Sequence, residues 1–265
     1  MTPISPGRPR RRSAVLAGAV CALLVTGTAL TGCAEDPNEG TNGVGKLSAE
    51  QIQSRTRKAA ESVDTVRLHG TVVSSGRSYT LDMRLKSEGG IGSVTSEGQT
   101  FRLLRIDDEL FLKAGAEFWG QAGGKGDGKG DGKGEDGDGG SAADAAAAEK
   151  LAAKYVKVPQ GDPAYKKFNG FTDKDVLLGG LLTLHGTLAT DGHHEQAGVR
   201  TIRITGDDGA GGTLDVSLEG NPYPLRLVRA GKAGTLTFSA WGTDFPLKKP
   251  GKDETLDYGQ QLPSS

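Results

Sequence analysis

Cysteine is nearly missing from this chain, with two among 265 residues, and histidine is almost as scarce, with four. Few nucleophile and base pairs can be assembled from so little. The Gly-x-Ser-x-Gly elbow, His-Glu-x-x-His and the phosphate-binding Gly-x-x-x-x-Gly-Lys-Ser/Thr are all missing too. There is no excess of positive charge: the formal net charge is −1, no basic patch stands out, and nucleic acid is not expected as a partner. Nor is there an apolar run of membrane-spanning length. The longest, Ala14 to Leu30, has seventeen residues, short for a span and typical of a removable export signal.

That run follows a cluster of arginines, Arg8, Arg10, Arg11 and Arg12, and ends in Leu30-Thr31-Gly32-Cys33. The pattern resembles the lipobox of bacterial lipoproteins, in which the cysteine sulfur receives a diacylglycerol and the chain is cut just before it. The resemblance implies a signal peptide at 1–32, lipidation at Cys33, and a mature protein held by its acylated N-terminus on the extracytoplasmic face of the cell membrane. Two or more acyl chains, at about 0.8 kcal/mol per buried methylene, make such an anchor stable. Ser13-Ala14 stands where twin-arginine signals usually carry an apolar pair, and the export route stays open. Residues 1–32 contain four arginines and no acid, so the 233 residues that follow have a formal charge of −5. With Cys21 removed and Cys33 acylated, no disulfide or free thiol remains, and stability rests on packing.

Residues 33–46 are rich in Gly, Asn, Asp and Pro and read as a flexible tether. Ser48 and Gln51 have capping-box spacing, and Ile52, Ala59, Ala60 and Val63 recur near helical spacing, which predicts a helix over 49–62. The period then changes to two. Val66, Leu68, Gly70 and Val72 alternate with polar residues, as do Tyr79, Leu81, Met83 and Leu85, with a turn at Ser74-Ser75-Gly76-Arg77. A third strand is expected over 91–96, then a hairpin of 100–106 and 109–114 around Asp107-Asp108. The Gly/Lys/Asp-rich insertion at 120–140 repeats Gly-Lys-Gly-Asp with a period of four and can form no core. Beyond it the sequence predicts an alanine-rich helix over 141–154 and a short strand over 155–159. A helix capped by Thr172 follows, with Val176, Leu177, Leu178, Leu181 and Leu182 as its apolar residues. Strands are expected over 183–189, 199–205, 213–218, 225–228 and 235–241, about ten in all, and a disordered tail from Pro250.

Three clusters invite a chemical reading. Asp191-Gly192-His193-His194-Glu195 holds ligand types suited to zinc or copper, yet its spacing is poor and it reads as a polar hairpin turn. Asp127, Asp131, Glu135, Asp136 and Asp138 are interleaved with lysines and read as linker. Asp107-Asp108-Glu109 reads as a turn without a cleft. No metal, cofactor or catalytic residue is expected, and the chain is read as non-enzymatic.

Tyr155-Val156-Lys157-Val158-Pro159, Phe171-Thr172-Asp173, Gly220-Asn221-Pro222-Tyr223-Pro224-Leu225-Arg226 and Leu236-Thr237-Phe238-Ser239, in this order of elements, resemble actinobacterial lipoproteins of the LppX/LprAFG family. The resemblance covers nearly all of residues 47–250. It implies a LolA-like α+β domain over 47–265: a strongly curved antiparallel half-barrel sheet with helices covering its concave, apolar side. It also implies a cavity that binds, and carries, lipid or lipoglycan acyl chains. The insertion departs from the family pattern and leaves the entrance geometry open. A sheet with one apolar face and few helices must close, pack a second layer or hold something apolar. Candidate lining residues on strands are Leu68, Tyr79, Leu81, Met83, Leu85, Phe101, Leu103, Leu110 and Leu112; on helices they are Ile52, Leu177, Leu178 and Leu181. The alternative is an envelope sensor or protein-interaction module on the same fold with a collapsed cavity, docking an unidentified membrane protein.

Overall fold

The computed structural model describes residues 36–123 and 142–257. The export segment, Cys33, residues 124–140 of the insertion and Ser141 lie outside them. Among the described residues no helix is long and apolar enough to cross a membrane.

The first helix, α1 (Ala49–Ser62), starts as its sequence dictates. Ser48 Oγ accepts from the Gln51 amide at 3.4 Å while the Ser48 amide donates to Gln51 Oε1 at 3.2 Å, closing the capping box. Its buried stripe is Ala49, Ile52, Thr56 and Ala60, three to four residues apart. Then β1 (Thr65–Ser74), β2 (Arg77–Lys86), β3 (Gly89–Ser96), β4 (Gln99–Ile106) and β5 (Glu109–Lys113) form an antiparallel meander. The chain continues through α2 (Ala116–Gly123), α3 (Ala142–Ala152), β6 (Tyr155–Val158), α4 (Pro163–Thr172) and α5 (Lys174–Leu181). It ends with β7 (Leu188–Gln196), β8 (Val199–Gly206), β9 (Gly212–Ser217), β10 (Pro224–Arg229), β11 (Thr235–Ser239) and β12 (Thr255–Asp257).

All twelve strands belong to one sheet in the order β12-β6-β5-β4-β3-β2-β1-β11-β10-β9-β8-β7, antiparallel throughout except where β12 runs parallel to β6. The register aligns the apolar positions into rows. One such row is Leu68, Met83, Gly92, Leu103, Leu112 and Val156, on six successive strands. Twelve flat strands would span about 50 Å at the usual strand spacing. Yet Val156 and Leu110 on one wing and Ile204 and Val216 on the other join a single apolar cluster with Ile52 of α1, Phe168 of α4 and Leu178 of α5. The sheet is therefore curved, and with β7 and β12 at its two ends it is unclosed. Gly70 assists the bend: at φ 141° it takes a backbone conformation disfavoured for other residues, and the Thr235 carbonyl of β11 would lie 2.1 Å from any Cβ there.

On the opposite face the C-terminal segment crosses the meander. The Gly242 amide donates to Thr65 at 3.1 Å, Lys86 Nζ reaches Asp244 at 2.7 Å, and Lys249 pairs with Glu109 while its Nζ lies 5.9 Å from the Phe111 ring centre. Lys154 donates to the Asp253 carbonyl, and the segment finishes as β12. Phe245, Phe111 and Leu104 are buried, apart from the main core cluster.

Several expectations need correction. The tether is docked from residue 39 onward: Val44 is 1% exposed, the Asn42 amide donates to Leu218 at 2.8 Å, and Arg200 Nη1 donates to Glu39. Residues 120–123 of the insertion belong to α2. The α5 cap is Asp173, whose Oδ1 accepts from the amides of Asp175 and Val176 at 3.1 and 3.0 Å, while Thr172 closes α4. The strand expected over 183–189 is β7 at Leu188–Gln196 instead, so the His-His segment is not a turn but an edge strand, with a bulge between Thr190 and His193. Residues 251–257, expected as disorder, hold one helical turn and β12.

Candidate functional site

A concavity bordered by Phe101 of the core cluster opens where β4 begins and β5 ends. A pocket of about 500 Å³ is lined by Gly98 to Phe101 from the β3–β4 turn and β4, by Ala114 to Phe118 leading into α2, and by Glu149 of α3. Aromatic rings close its inner wall. Phe101 meets Phe118 edge-on with centroids 5.2 Å apart, and on its other side approaches Phe168 of α4 at 5.5 Å. Phe118 in turn packs edge-on against Trp119 at 4.9 Å, and the Trp119 indole donates to the Ala114 carbonyl at 3.3 Å. Phe171 of α4 lies 5.6 Å from Tyr79 of β2. One run of rings joins α2 to α4 through the start of β4, and a separate pair joins α4 to the start of β2.

The positions of α4 and α5 follow from local chemistry. Asp162 caps α4, accepting from the Ala164 amide at 2.7 Å, and Pro163 takes the first helical position. Tyr165 anchors the helix start by donating to the Asp108 carbonyl at 3.0 Å; burial, then the nearby Asp108 carboxylate, push its pKa up and keep it neutral. Lys174, only 2% exposed, donates to the Glu61 carbonyl at the end of α1 at 3.2 Å and ties α5 to α1.

No family model and no curated protein matches the chain. Among solved structures it is similar to LprF from Mycobacterium bovis, at 16% identity and a TM-score of 0.48, over 76% of this chain and 96% of that one. It is similar also to the lipoprotein LppX of Mycobacterium tuberculosis, at 16% identity and a TM-score of 0.40, over 75% and 99% of the two chains. The chain resembles mycobacterial lipoproteins of the LppX/LprAFG type. A conserved protein from Thermus thermophilus shares 12% identity at a TM-score of 0.32, over 79% of this chain and 98% of its own length.

Every candidate lining residue faces the core. Leu68, Leu81, Met83, Leu85, Leu103, Leu110 and Leu112 on strands and Ile52 on α1 are fully buried; Leu178, Leu181 and Phe101 are buried, and Tyr79 and Leu177 pack against the same cluster half-buried. Of them only Phe101 lines the 500 Å³ pocket. The remaining wall, Gly98 to Thr100 and Ala114 to Phe118 with Glu149, is not singled out by sequence. Its signal was the adjacent pair Phe118-Trp119, two large apolar residues just before the glycine-rich insertion. Elsewhere the polar clusters are engaged locally. His193 Nε2 lies 3.1 Å from Asn38 Oδ1, His194 Nε2 lies 2.8 Å from the Asp191 carbonyl, and Glu109 pairs with Lys157 at 2.8 Å.

Proposed function

We propose that this chain is a lipid-anchored envelope protein that takes acyl chains of a lipid or glycolipid through the mouth at Phe101 and Phe118 into the apolar space between the concave side of the sheet and α4 and α5. The observation that carries the reading is the mouth itself. It is of ligand-binding size, is bordered by aromatic edges, and shares Phe101 with the core on which the sheet and helices converge. Each methylene that leaves water there contributes about 0.8 kcal/mol, so binding needs no particular polar contact. Acylation at Cys33 would keep the protein on the membrane that supplies the ligand.

The test uses the full chain, purified from membranes in mild detergent. Native mass spectrometry shows co-purified lipid, and Gly115→Trp lowers the binding of a fluorescent fatty-acyl probe about tenfold. No heavy atom lies within 4 Å of a Cβ at Gly115, so the ring can fill the mouth without a backbone clash. A protein free of lipid that binds no probe overturns the proposal.

One observation favours a second reading. Eight of the candidate lining residues are 0% exposed, as expected of an interlocked interior. A collapsed cavity would suit an envelope sensor, and in-cell crosslinking to a protein rather than to labelled lipid would select it.

A further inference from the structure

The outward face of the meander carries a second depression, of about 390 Å³, lined by Arg67, Asp82, Arg84, Ser93, Arg102 and Tyr155 among others. The register explains its shape. Ser93 of β3 lies between Asp82 of β2 and Arg102 of β4, so a short side chain sits between two long ones and leaves a trough. Arg84 pairs with Ile91, two residues along β3, and Arg67 of β1 lies opposite Arg84.

The charges do not cancel. Arg67 takes up the one carboxylate in the trough, donating to Asp82 from Nε at 3.0 Å and Nη2 at 2.9 Å. The pKa of Asp82 is lowered, first by those hydrogen bonds, so it stays ionised and engaged with Arg67. Arg84 and Arg102 are exposed, and among the described residues neither makes a side-chain hydrogen bond or ion pair. Farther along the same sheet the pattern is different: Arg203 and Arg226 face Asp215, and Arg200 faces Glu219. Two guanidinium groups around a trough, neither hydrogen-bonded nor ion-paired though Arg84 adds to the field on Asp82, thus occur on a chain whose formal net charge is −1.

We infer that this trough binds a phosphoryl group, held between Arg84 and Arg102 with the Ser93 and Tyr155 hydroxyls as further donors. A carboxylate could be satisfied by one arginine fork; donors supplied by four strands around one depression suit a tetrahedral oxyanion with three or four acceptor oxygens. The volume exceeds that of bare phosphate and accommodates the glycerol portion of a phospholipid headgroup. The site lies on the face opposite the Phe101 mouth and does not depend on acyl-chain binding.

The test is calorimetric titration of the full chain, in an uncharged detergent, with inorganic phosphate and separately with glycerophosphoglycerol, the deacylated headgroup of phosphatidylglycerol. Saturable binding of either probe is expected. Arg84→Gln or Arg102→Gln should weaken it about tenfold each, the loss of one charge-assisted contact, while Arg77→Gln, outside the trough, leaves it unchanged. Tighter binding of the diester identifies a headgroup as the source, and equal or tighter binding of phosphate identifies the free ion. Failure of both probes to bind, or binding unchanged in the Arg84→Gln, Arg102→Gln double variant, overturns the inference.

Discussion

Arg105 reaches from the core face of β4 to the carbonyl of Thr172, the last residue of α4, donating from Nε at 3.4 Å and from Nη2 at 3.3 Å. Nη1 also donates to Asp107 at 2.8 Å, and Nη2 lies 3.5 Å from Asp173, the cap of α5. One buried guanidinium thus fastens the elbow between two helices to the sheet. Arg105→Lys keeps the charge but loses the planar fork, and should lower unfolding free energy by about 2 kcal/mol. Urea denaturation measures this, and an unchanged midpoint with unchanged slope would show that the fork is dispensable.

The same elbow needs Gly90. A Cβ there would lie 2.9 Å from the Thr172 carbonyl and 2.7 Å from Leu85 Cδ2. Leu85 can turn aside, but the helix backbone can retreat only by breaking its bonds to Arg105. Gly90→Ala is expected to destabilise by about 1–3 kcal/mol, as overpacking does. Gly115→Ala, with open space around its Cβ, is the comparison and should be nearly neutral.

Which parts were legible follows from whether the signal is local. The capping box of α1 and the alternation of β1, β2, β4 and β5 are written within ten residues, and each element formed close to where expected. α4 escaped although Asp162-Pro163 is a good helix start, because Asn169-Gly170 interrupts its apolar pattern. β7 was displaced because its residues are almost all exposed or half-buried: an edge strand with a bulge has no apolar period to read, whereas Thr183 to Leu188 imitates one. β12 is three residues long and exists only through its pairing with β6, about a hundred positions earlier. The Phe101 mouth requires α2 and α4 to converge on β4. The arginine trough draws its lining from five strands, and neither arrangement is a property of any single segment.

The strap across the back of the meander should respond to acid. Hydrogen bonds from Lys157 and then Lys249 lower the Glu109 pKa, and a hydrogen bond from Lys86, then one from the Phe245 amide, lowers that of Asp244. Carboxyl groups depressed in the folded state stabilise it fully above their unfolded pKa values, about 4.3 and 3.9. That contribution is lost as pH falls through the lower folded values. Carbon-13 titration of the two carboxyl groups should give midpoints below the ordinary ones, returning upward in Lys86→Gln and Lys249→Gln. Ordinary midpoints in the unaltered chain would mean that solvent screens these exposed pairs completely.

Ala197 sits at φ 52°, followed by Gly198 at φ 81°, in the two-residue turn joining β7 to β8. Both central residues of such a turn need the left-handed region, where alanine is strained and asparagine is not. Ala197→Asn is therefore expected to stabilise the fold by about 1 kcal/mol, read as an upward shift in thermal midpoint. No gain would indicate that this edge hairpin opens before the rest unfolds.

Asp215 is the severest electrostatic commitment in the sheet. Its side chain is 2% exposed, and Arg203 binds it through Nε at 2.7 Å and Nη2 at 3.3 Å while Arg226 stands 3.9 Å away. Such a pair gives little net stability relative to apolar residues, because both ions lose hydration, but breaking it leaves a half-buried cation without its partner. Asp215→Ala should therefore cost about 3–5 kcal/mol, while the double change Arg203→Met with Asp215→Leu should recover most of that loss. A double-mutant cycle followed by urea denaturation separates the two contributions. If Asp215→Ala costs under about 1 kcal/mol, Arg203 has found water or Asp191 instead, whose Oδ2 already lies 3.8 Å from its Nη1. The β8–β10 wing would then be held by backbone pairing rather than by this ion pair.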